Sequence, residues 1–137
     1  MQSTVIELPT GDRETVVDLT MRCERFVGEA AEGGDGLLHV FVPHATAGVA
    51  IIETGAGSDD DLLTILGEVL PRDFAWSHRH GSPGHGRDHV LPAFVAPYAS
   101  VPVIDGGLAL GTWQRICLVD TNLDNERRRV RLSYLAG

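Results

Sequence analysis

The sequence predicts a single α+β domain, residues 1–137, built on a largely antiparallel sheet. Three observations carry that prediction. Short runs rich in β-branched and apolar residues recur along the chain. Two segments with helix start and stop signals interrupt them. The connections between the C-terminal runs are too short for the right-handed crossovers that parallel strands require. A length of 137 residues suffices for one real core, and 43% hydrophobic with 22% charged residues lies close to the globular average, so the chain is expected to fold throughout.

In chain order, Ser3–Leu8 reads as a strand, Gly11-Asp12 as a turn and Glu14–Leu19 as a second strand. Thr20 is placed to cap a helix over 21–32. Met21, Cys23, Phe26, Val27 and Ala30 give that helix its apolar stripe, and Gly33-Gly34 stops it. Leu37–Val42 and Gly48–Glu53 read as strands joined by a tight polar connection around His44–Ala47. Ser58 then caps the clearest helix, with Asp59, Asp60 and Asp61 in its first turn, where the helix dipole favours negative charge, and with Pro71 ending it. Residues 72–89 form a long segment rich in His, Gly, Arg and Ser, and loops of that length are usually functional or disordered. A short helix or turn over 90–98 is broken by Pro92 and Pro97. Ser100–Ile104 is a strand and Asp105–Gly107 a turn. Leu108–Val119 and Arg127–Leu135 are predicted as two long antiparallel strands linked by turn formers at 120–125. The alternation of Arg127, Arg129 and Arg131 with Arg128, Val130 and Leu132 fits an edge or half-exposed strand.

Composition narrows the chemistry. The net charge is −8, and all 11 basic residues are Arg. Nucleic-acid binding is not expected of so acidic a chain. The absence of Lys removes Schiff-base and P-loop chemistry, so an anionic substrate must be held by Arg, His, backbone N–H groups or a metal. No apolar run approaches the ~18 residues of a membrane span, and the N-terminus carries no secretory pattern, so a cytoplasmic protein is expected. Cys23 and Cys117 stand apart, outside any CxxC pair, and are expected to be packed thiols and not a disulfide.

Four of the six histidines fall within twelve positions: His78, His80, His85 and His89. Histidine ligates metals and moves protons near neutral pH. The spacing matches no HExxH pattern, and the competing reading is a flexible, solvated His/Gly loop. His39, inside an apolar run, reads as a hydrogen-bonded core or interface residue. His44 follows Pro43 at a strand end beside small residues that allow a ligand to approach, Thr46 among them. Glu53, ending an apolar strand, is placed to orient a histidine, hold a metal-bound water or act as a base, unless it is simply exposed there. Asp61 sits deeper in its helix than a cap needs and can face a site. Gly111-Thr112-Trp113-Gln114 is unusual inside a long strand; Trp113 offers an apolar plate, with core or interface packing as its plainer role.

Pro43-His44-Ala45-Thr46-Ala47-Gly48, then Glu53, Asp61, Trp76-Ser77-His78 and His89, then Gly107–Gln114, Asp124 and Arg127-Arg128-Arg129, occur in an order that resembles the YjbQ family, also called the secondary thiamine-phosphate synthase family. The resemblance spans nearly the whole chain and is strongest over 38–131. It implies a mainly antiparallel two-sheet β-sandwich with two main helices. It also implies a homotrimer whose pocket lies where subunits meet, with three histidines that map to His44, His78 and His89. Ile52 stands where the family pattern has Asn before the acidic residue, and the stretch Gly84–Asp88 departs from the family spacing.

The activity implied is the joining of a pyrimidine methyl diphosphate to a thiazole phosphate with release of pyrophosphate. His44, Glu53, His78 and His89 are the catalytic candidates; Thr46, Asp61, Trp113, Gln114 and Arg127 are the substrate-binding ones. A divalent metal, zinc or magnesium, is expected on His44, His78 and His89. Arg79 and Arg87 are further candidates for the leaving diphosphate. The alternatives are a metal-dependent hydrolase using three histidines and a non-enzymatic trimer that binds a small ligand.

Overall fold

The computed structural model describes all residues, 1–137. Eight strands and two α-helices follow one another as β1 (Gln2–Pro9), β2 (Thr15–Asp18), α1 (Thr20–Ala30), β3 (Gly36–Phe41), β4 (Ala47–Ile52), α2 (Ser58–Val69), β5 (Tyr98–Ile104), β6 (Gly107–Leu108), β7 (Arg115–Asp120) and β8 (Arg127–Ala136). Short 3-10 turns lie at His85–Arg87 and Leu91–Ala93. The strands form two antiparallel sheets, one of five in the order β1-β8-β3-β5-β6 and one of three in the order β2-β7-β4. No helix is long and apolar enough to cross a membrane.

The main core lies between the five-stranded sheet and a second layer made of the three-stranded sheet and α1. Leu38, Val40, Val130 and Leu132 from the first layer meet Val49, Ile116 and Leu118 from the small sheet and Cys23 and Val27 from α1. A second, smaller core forms on the opposite face of the small sheet, where Val119 packs with Leu66 and Leu70 of the α2 segment and with Leu91 and Val95. The central strand β7 is therefore covered on both faces, which is why Ile116-Cys117-Leu118-Val119 is a continuous apolar run without alternation. Both cysteines are free and buried, and burial pushes each thiol up to about 12.

Several boundaries differ from the sequence reading, each for a physical reason. Thr20 is inside α1: the Asp18 carboxylate accepts its N–H, while its hydroxyl accepts the Ile116 N–H and ties the helix to β7. The buried stripe is Cys23, Val27 and Ala30, while Met21 is 75% exposed. Gly57, with φ of 101°, occupies the N-cap of α2, so Ser58 is the first helical residue. The predicted strand 108–119 is interrupted: Gly111–Gln114 is a turn, closed by Gln114 N–H to the Gly111 carbonyl and by Gly111 N–H to the Gln114 side chain. β7 and β8 do not pair with each other, because they belong to different sheets. β8 is an interior strand between β1 and β3 and not an edge; its arginines alternate because one face meets solvent and the other the core.

Candidate functional site

Residues 71–97 cross the outer face of the small sheet and seal its second core. Trp76 and Val90 pack against that cluster, and the Trp76 indole N–H donates to the Pro71 carbonyl. The glycines are required by close approach. A Cβ on Gly86 would stand 2.6 Å from both the His78 carbonyl oxygen and Trp76 Cβ, and Gly84, at φ of 80°, has the Arg72 backbone against it. Arg87 is buried; it donates to the Leu70 carbonyl and to the Glu14 carboxylate, which also holds Arg72. Its Nε lacks a hydrogen-bond partner, with Asp88 Oδ1 at 3.5 Å. The segment is thus pinned to the start of β2 and the end of α2, in contrast to the solvated-loop reading.

This packing brings four imidazoles together. One ligand atom from each of His78, His80, His85 and His89 lies within 4.8 Å of the others. The ring centroids of His78 stand 3.9 Å from His80 and 4.1 Å from His89, and His85 Nε2 is 2.9 Å from His89 Nε2. His85 is buried and the other three reach solvent. Desolvation and then the neighbouring imidazoles lower the pKa of His78 and His89 from the ordinary value, which favours the neutral form that ligates metals. Beside the cluster opens a cleft of about 380 Å³ whose lining includes Arg72, Phe74, Trp76, His78, Arg79 and His85.

The floor of the cluster comes from the end of β7 and the residues after it. Thr121 donates to Asp88 Oδ1 at 2.7 Å, and Asn122 Nδ2 lies 3.3 Å from Asp88 Oδ2. Burial raises the Asp88 pKa, against the hydrogen bond from Thr121 and the charges of Arg72, Arg87 and His85. Asp124 accepts from the Ser82 N–H and hydroxyl and lies 2.6 Å from His85 Nδ1; the Ser82 backbone bond leads in holding its carboxyl below the usual range. One step earlier in the chain, Asp120 and Arg128 form a buried bidentate pair at 2.6 and 2.9 Å, and Arg128 also donates to the Thr46 hydroxyl.

The site candidates therefore divide. His78 and His89 come together, joined by His80 and His85. His44 lies outside this group in the single chain: its Nε2 accepts the Arg129 N–H at 3.0 Å, and its pKa is lowered by desolvation and then by Arg128. Within the single chain His78 and His89 group with His80 and His85, while His44, expected to join them where subunits meet, stands apart from the cluster. Thr46 is buried under Arg128, whereas Glu53, Asp61 and Arg127 are exposed. Trp113, 69% exposed at the tip of its turn, is not a core residue, and Gln114 is occupied in closing that turn. Neither lines the cleft. Arg87 is committed to Glu14 and Leu70, which leaves Arg79, exposed at the cleft, as the arginine free to meet an anion. Sequence reasoning missed Ser82, Asp88 and Asn122; nothing in their local pattern separates them from ordinary turn residues.

The donor set fits a borderline transition-metal ion. Ligating nitrogens at zinc stand about 3.3 Å apart in a tetrahedron; in the cluster His85 Nε2 and His89 Nε2 are 2.9 Å apart and all four ligand atoms lie within 4.8 Å of one another. Magnesium, which prefers oxygen ligands, is poorly served by four imidazoles.

A two-sheet antiparallel sandwich carrying a histidine cluster on the outer face of its small sheet defines the class. The chain matches the UPF0047 protein YjbQ-like family over residues 4–137 and belongs to that family. It is 57% identical over 137 residues, all of both chains, to a UPF0047 protein of Mycobacterium tuberculosis. With the UPF0047 protein YugU of Bacillus subtilis it shares 34% identity over 137 residues, 96% of this chain and 97% of the other. Among solved structures, a YbjQ-like protein of unknown function from Sulfolobus solfataricus superposes with a TM-score of 0.92 at 26% identity, covering 99% of this chain and 97% of that one. A hypothetical protein of Aeropyrum pernix does so with a TM-score of 0.88 at 31% identity over all of both chains.

Proposed function

We propose that this protein is an enzyme acting on a phosphorylated small molecule at the His78/His80/His85/His89 cluster, with a reaction like that of a thiamine-phosphate synthase. The observation that carries the reading is the convergence of four imidazoles beside a cleft rimmed by Arg79, in a lysine-free chain of net charge −8. In the reaction, the thiazole nitrogen forms a bond to the pyrimidine methylene carbon as that carbon's bond to the diphosphate oxygen breaks, and pyrophosphate leaves with the electron pair. The step needs positive charge around the departing oxygens and an apolar surface for the rings. Arg79 supplies the charge, the neutral imidazoles add N–H donors, and Trp76 with Phe74, in edge contact at a centroid distance of 4.8 Å, supplies the apolar surface. A divalent ion held by three of the four histidines, with one position left open, would add charge neutralisation at the leaving group.

Hydrolysis of a phosphate ester is the second reading, favoured by the access of three of the imidazoles to solvent. The chain is further expected to work as a homotrimer. The outer face of the five-stranded sheet exposes Leu37, Phe41, Tyr98 and Leu135, with His39 stacked on Phe41 and tilted against Tyr98, a surface suited to burial against another copy. Light scattering should then return three times the 14.7 kDa chain mass.

The deciding assay follows pyrophosphate release from a pyrimidine methyl diphosphate in the presence of a thiazole phosphate, with and without added zinc, for the wild type and the His78→Ala and His89→Ala variants. Release coupled to product formation and lost in both variants supports the synthase. Phosphate release without coupling supports the hydrolase. Turnover undiminished in both variants would overturn the assignment of the cluster.

A further inference from the structure

Asp124 lies just beyond the imidazole cluster; its Oδ2 accepts from the Ser82 N–H at 3.1 Å and the Ser82 hydroxyl at 3.2 Å, and stands 2.6 Å from His85 Nδ1. We propose that Asp124 is a positioning residue, which fixes His85 as the Nδ1–H tautomer and thereby turns a bare Nε2 into the space shared with His78, His80 and His89. The inference deepens the reading of the cluster as the working site and rests on it for its consequence, the binding of a borderline transition-metal ion.

The tautomer follows from the arrangement of donors and acceptors. A carboxylate that accepts from both the N–H and the hydroxyl of Ser82 sits in the environment of an ionised acid, and an ionised acid only accepts. An imidazole nitrogen 2.6 Å from it must therefore carry the proton. One contact argues the other way, because Asn122 Nδ2 is 3.0 Å from the same Nδ1 and could donate to it if it were bare. Asn122 does not need that acceptor. Its Nδ2 has Asp88 Oδ2 at 3.3 Å, and the orientation of its amide is set by the Asp124 N–H and Asn125 Nδ2, each 2.9 Å from its Oδ1. The shorter, charge-assisted contact with Asp124 decides the tautomer.

Burial makes the choice binding. His85 is 6% exposed, so its ring has little water to turn to. The chain also closes over the pair at Gly81, where a Cβ would stand 2.8 Å from Asp124 Oδ2 and 2.9 Å from His85 Cγ. With Nδ1 protonated, the neutral ring presents Nε2 as a lone pair, 2.9 Å from His89 Nε2. That orientation is in place before any ion arrives, and the carboxylate makes the far nitrogen more basic. Losing such an outer partner typically costs roughly 10- to 100-fold in metal affinity.

The test uses the full chain without metal, in nitrogen-15 NMR of the six imidazoles at mildly alkaline pH, with the His85 signals assigned by their loss in His85→Gln. The wild type is expected to show His85 as Nδ1–H. Asp124→Ala frees Nδ1 to accept from Asn122, so the ring should convert to Nε2–H, and zinc titration should show affinity reduced roughly 10- to 100-fold. Should Asp124→Ala not fold, Ser82→Ala keeps the carboxylate and loosens it, with an expected loss of zinc affinity of roughly 2- to 10-fold. A wild-type His85 found as Nε2–H overturns the proposal, as does an Asp124→Ala protein that retains Nδ1–H. An Asp124-dependent Nδ1–H tautomer in a protein that takes up no zinc would confirm the positioning role and reject the metal reading, so the two failures are separable.

Discussion

The buried pair of Asp120 and Arg128 gives the sharpest stability test, because its two members should behave very differently alone and together. Asp120 is 0% exposed and Arg128 1% exposed, and they share two hydrogen bonds at 2.6 and 2.9 Å. Asp120→Ala strands the guanidinium with only the Thr46 hydroxyl, and also removes the acceptor of the Asn122 N–H. Arg128→Met strands the carboxylate. Breaking one side of such a pair costs about 3–5 kcal/mol. With a urea slope of roughly 2 kcal/mol/M, each single variant should unfold at a midpoint lower by about 1.5–2.5 M. A domain of this size commonly has only about 5–15 kcal/mol in total, so either variant stands near the limit of folding. The double variant Asp120→Ala/Arg128→Met has no stranded charge, and an apolar replacement of a buried pair is often near neutral. It should therefore recover most of the loss, so that in a double-mutant cycle nearly the whole of the summed single losses appears as coupling, roughly 5–9 kcal/mol. Urea melts followed by circular dichroism supply all four midpoints. Single variants that each lose less than about 1 kcal/mol and add without coupling would refute the account of a buried, mutually dependent pair.

Three further outcomes are expected. Gly86→Ala forces a Cβ against the His78 carbonyl and Trp76, so the cluster should loosen, with a changed Trp76 emission and a loss of about 1–3 kcal/mol; unchanged fluorescence and stability would argue against the close packing. Glu14→Gln removes the carboxylate shared by Arg72 and Arg87 and should cost about 1.5–3 kcal/mol, measured by urea melts, because Arg87 is buried and left with the Leu70 carbonyl. The third concerns pH. His44, His78 and His89 have folded pKa values below the ordinary 6.5, so the unfolded chain binds more protons, and their contribution, present above 6.5, is lost as pH falls through the folded values. Asp124, also lowered, acts in the same sense in more acidic solution, whereas the raised Asp88 acts oppositely, its contribution being lost as pH rises. The thermal midpoint should decline on acidification below 6.5, and His44→Gln should flatten part of that decline; a profile unaltered by His44→Gln would refute the part assigned to His44.

What the sequence by itself determined is local and periodic. The strand runs, both helices, the two packed thiols and the grouping of four histidines in one glycine-rich stretch were all legible, because each depends on propensity, spacing or composition within a short window. What only the tertiary structure decided are the relations between distant segments. Leu108–Val119 could not be seen to break at Gly111–Gln114, because the turn is closed by a side chain folding back on its own backbone. β8 could not be recognised as an interior strand, because its arginines alternate with solvent on one face whether or not a neighbour pairs on each side. Arg87 looked like a free cation and proved to be buried under Glu14, 73 positions earlier. The same holds for the site. Four histidines close in sequence become a cluster only because Gly84 and Gly86 let the chain pack tightly, and because Thr121, Asn122 and Asp124 arrive from the end of β7 to hold Asp88 and His85. Hydrogen bonds to a buried imidazole are set by which strand ends beside it, and periodicity carries no record of that.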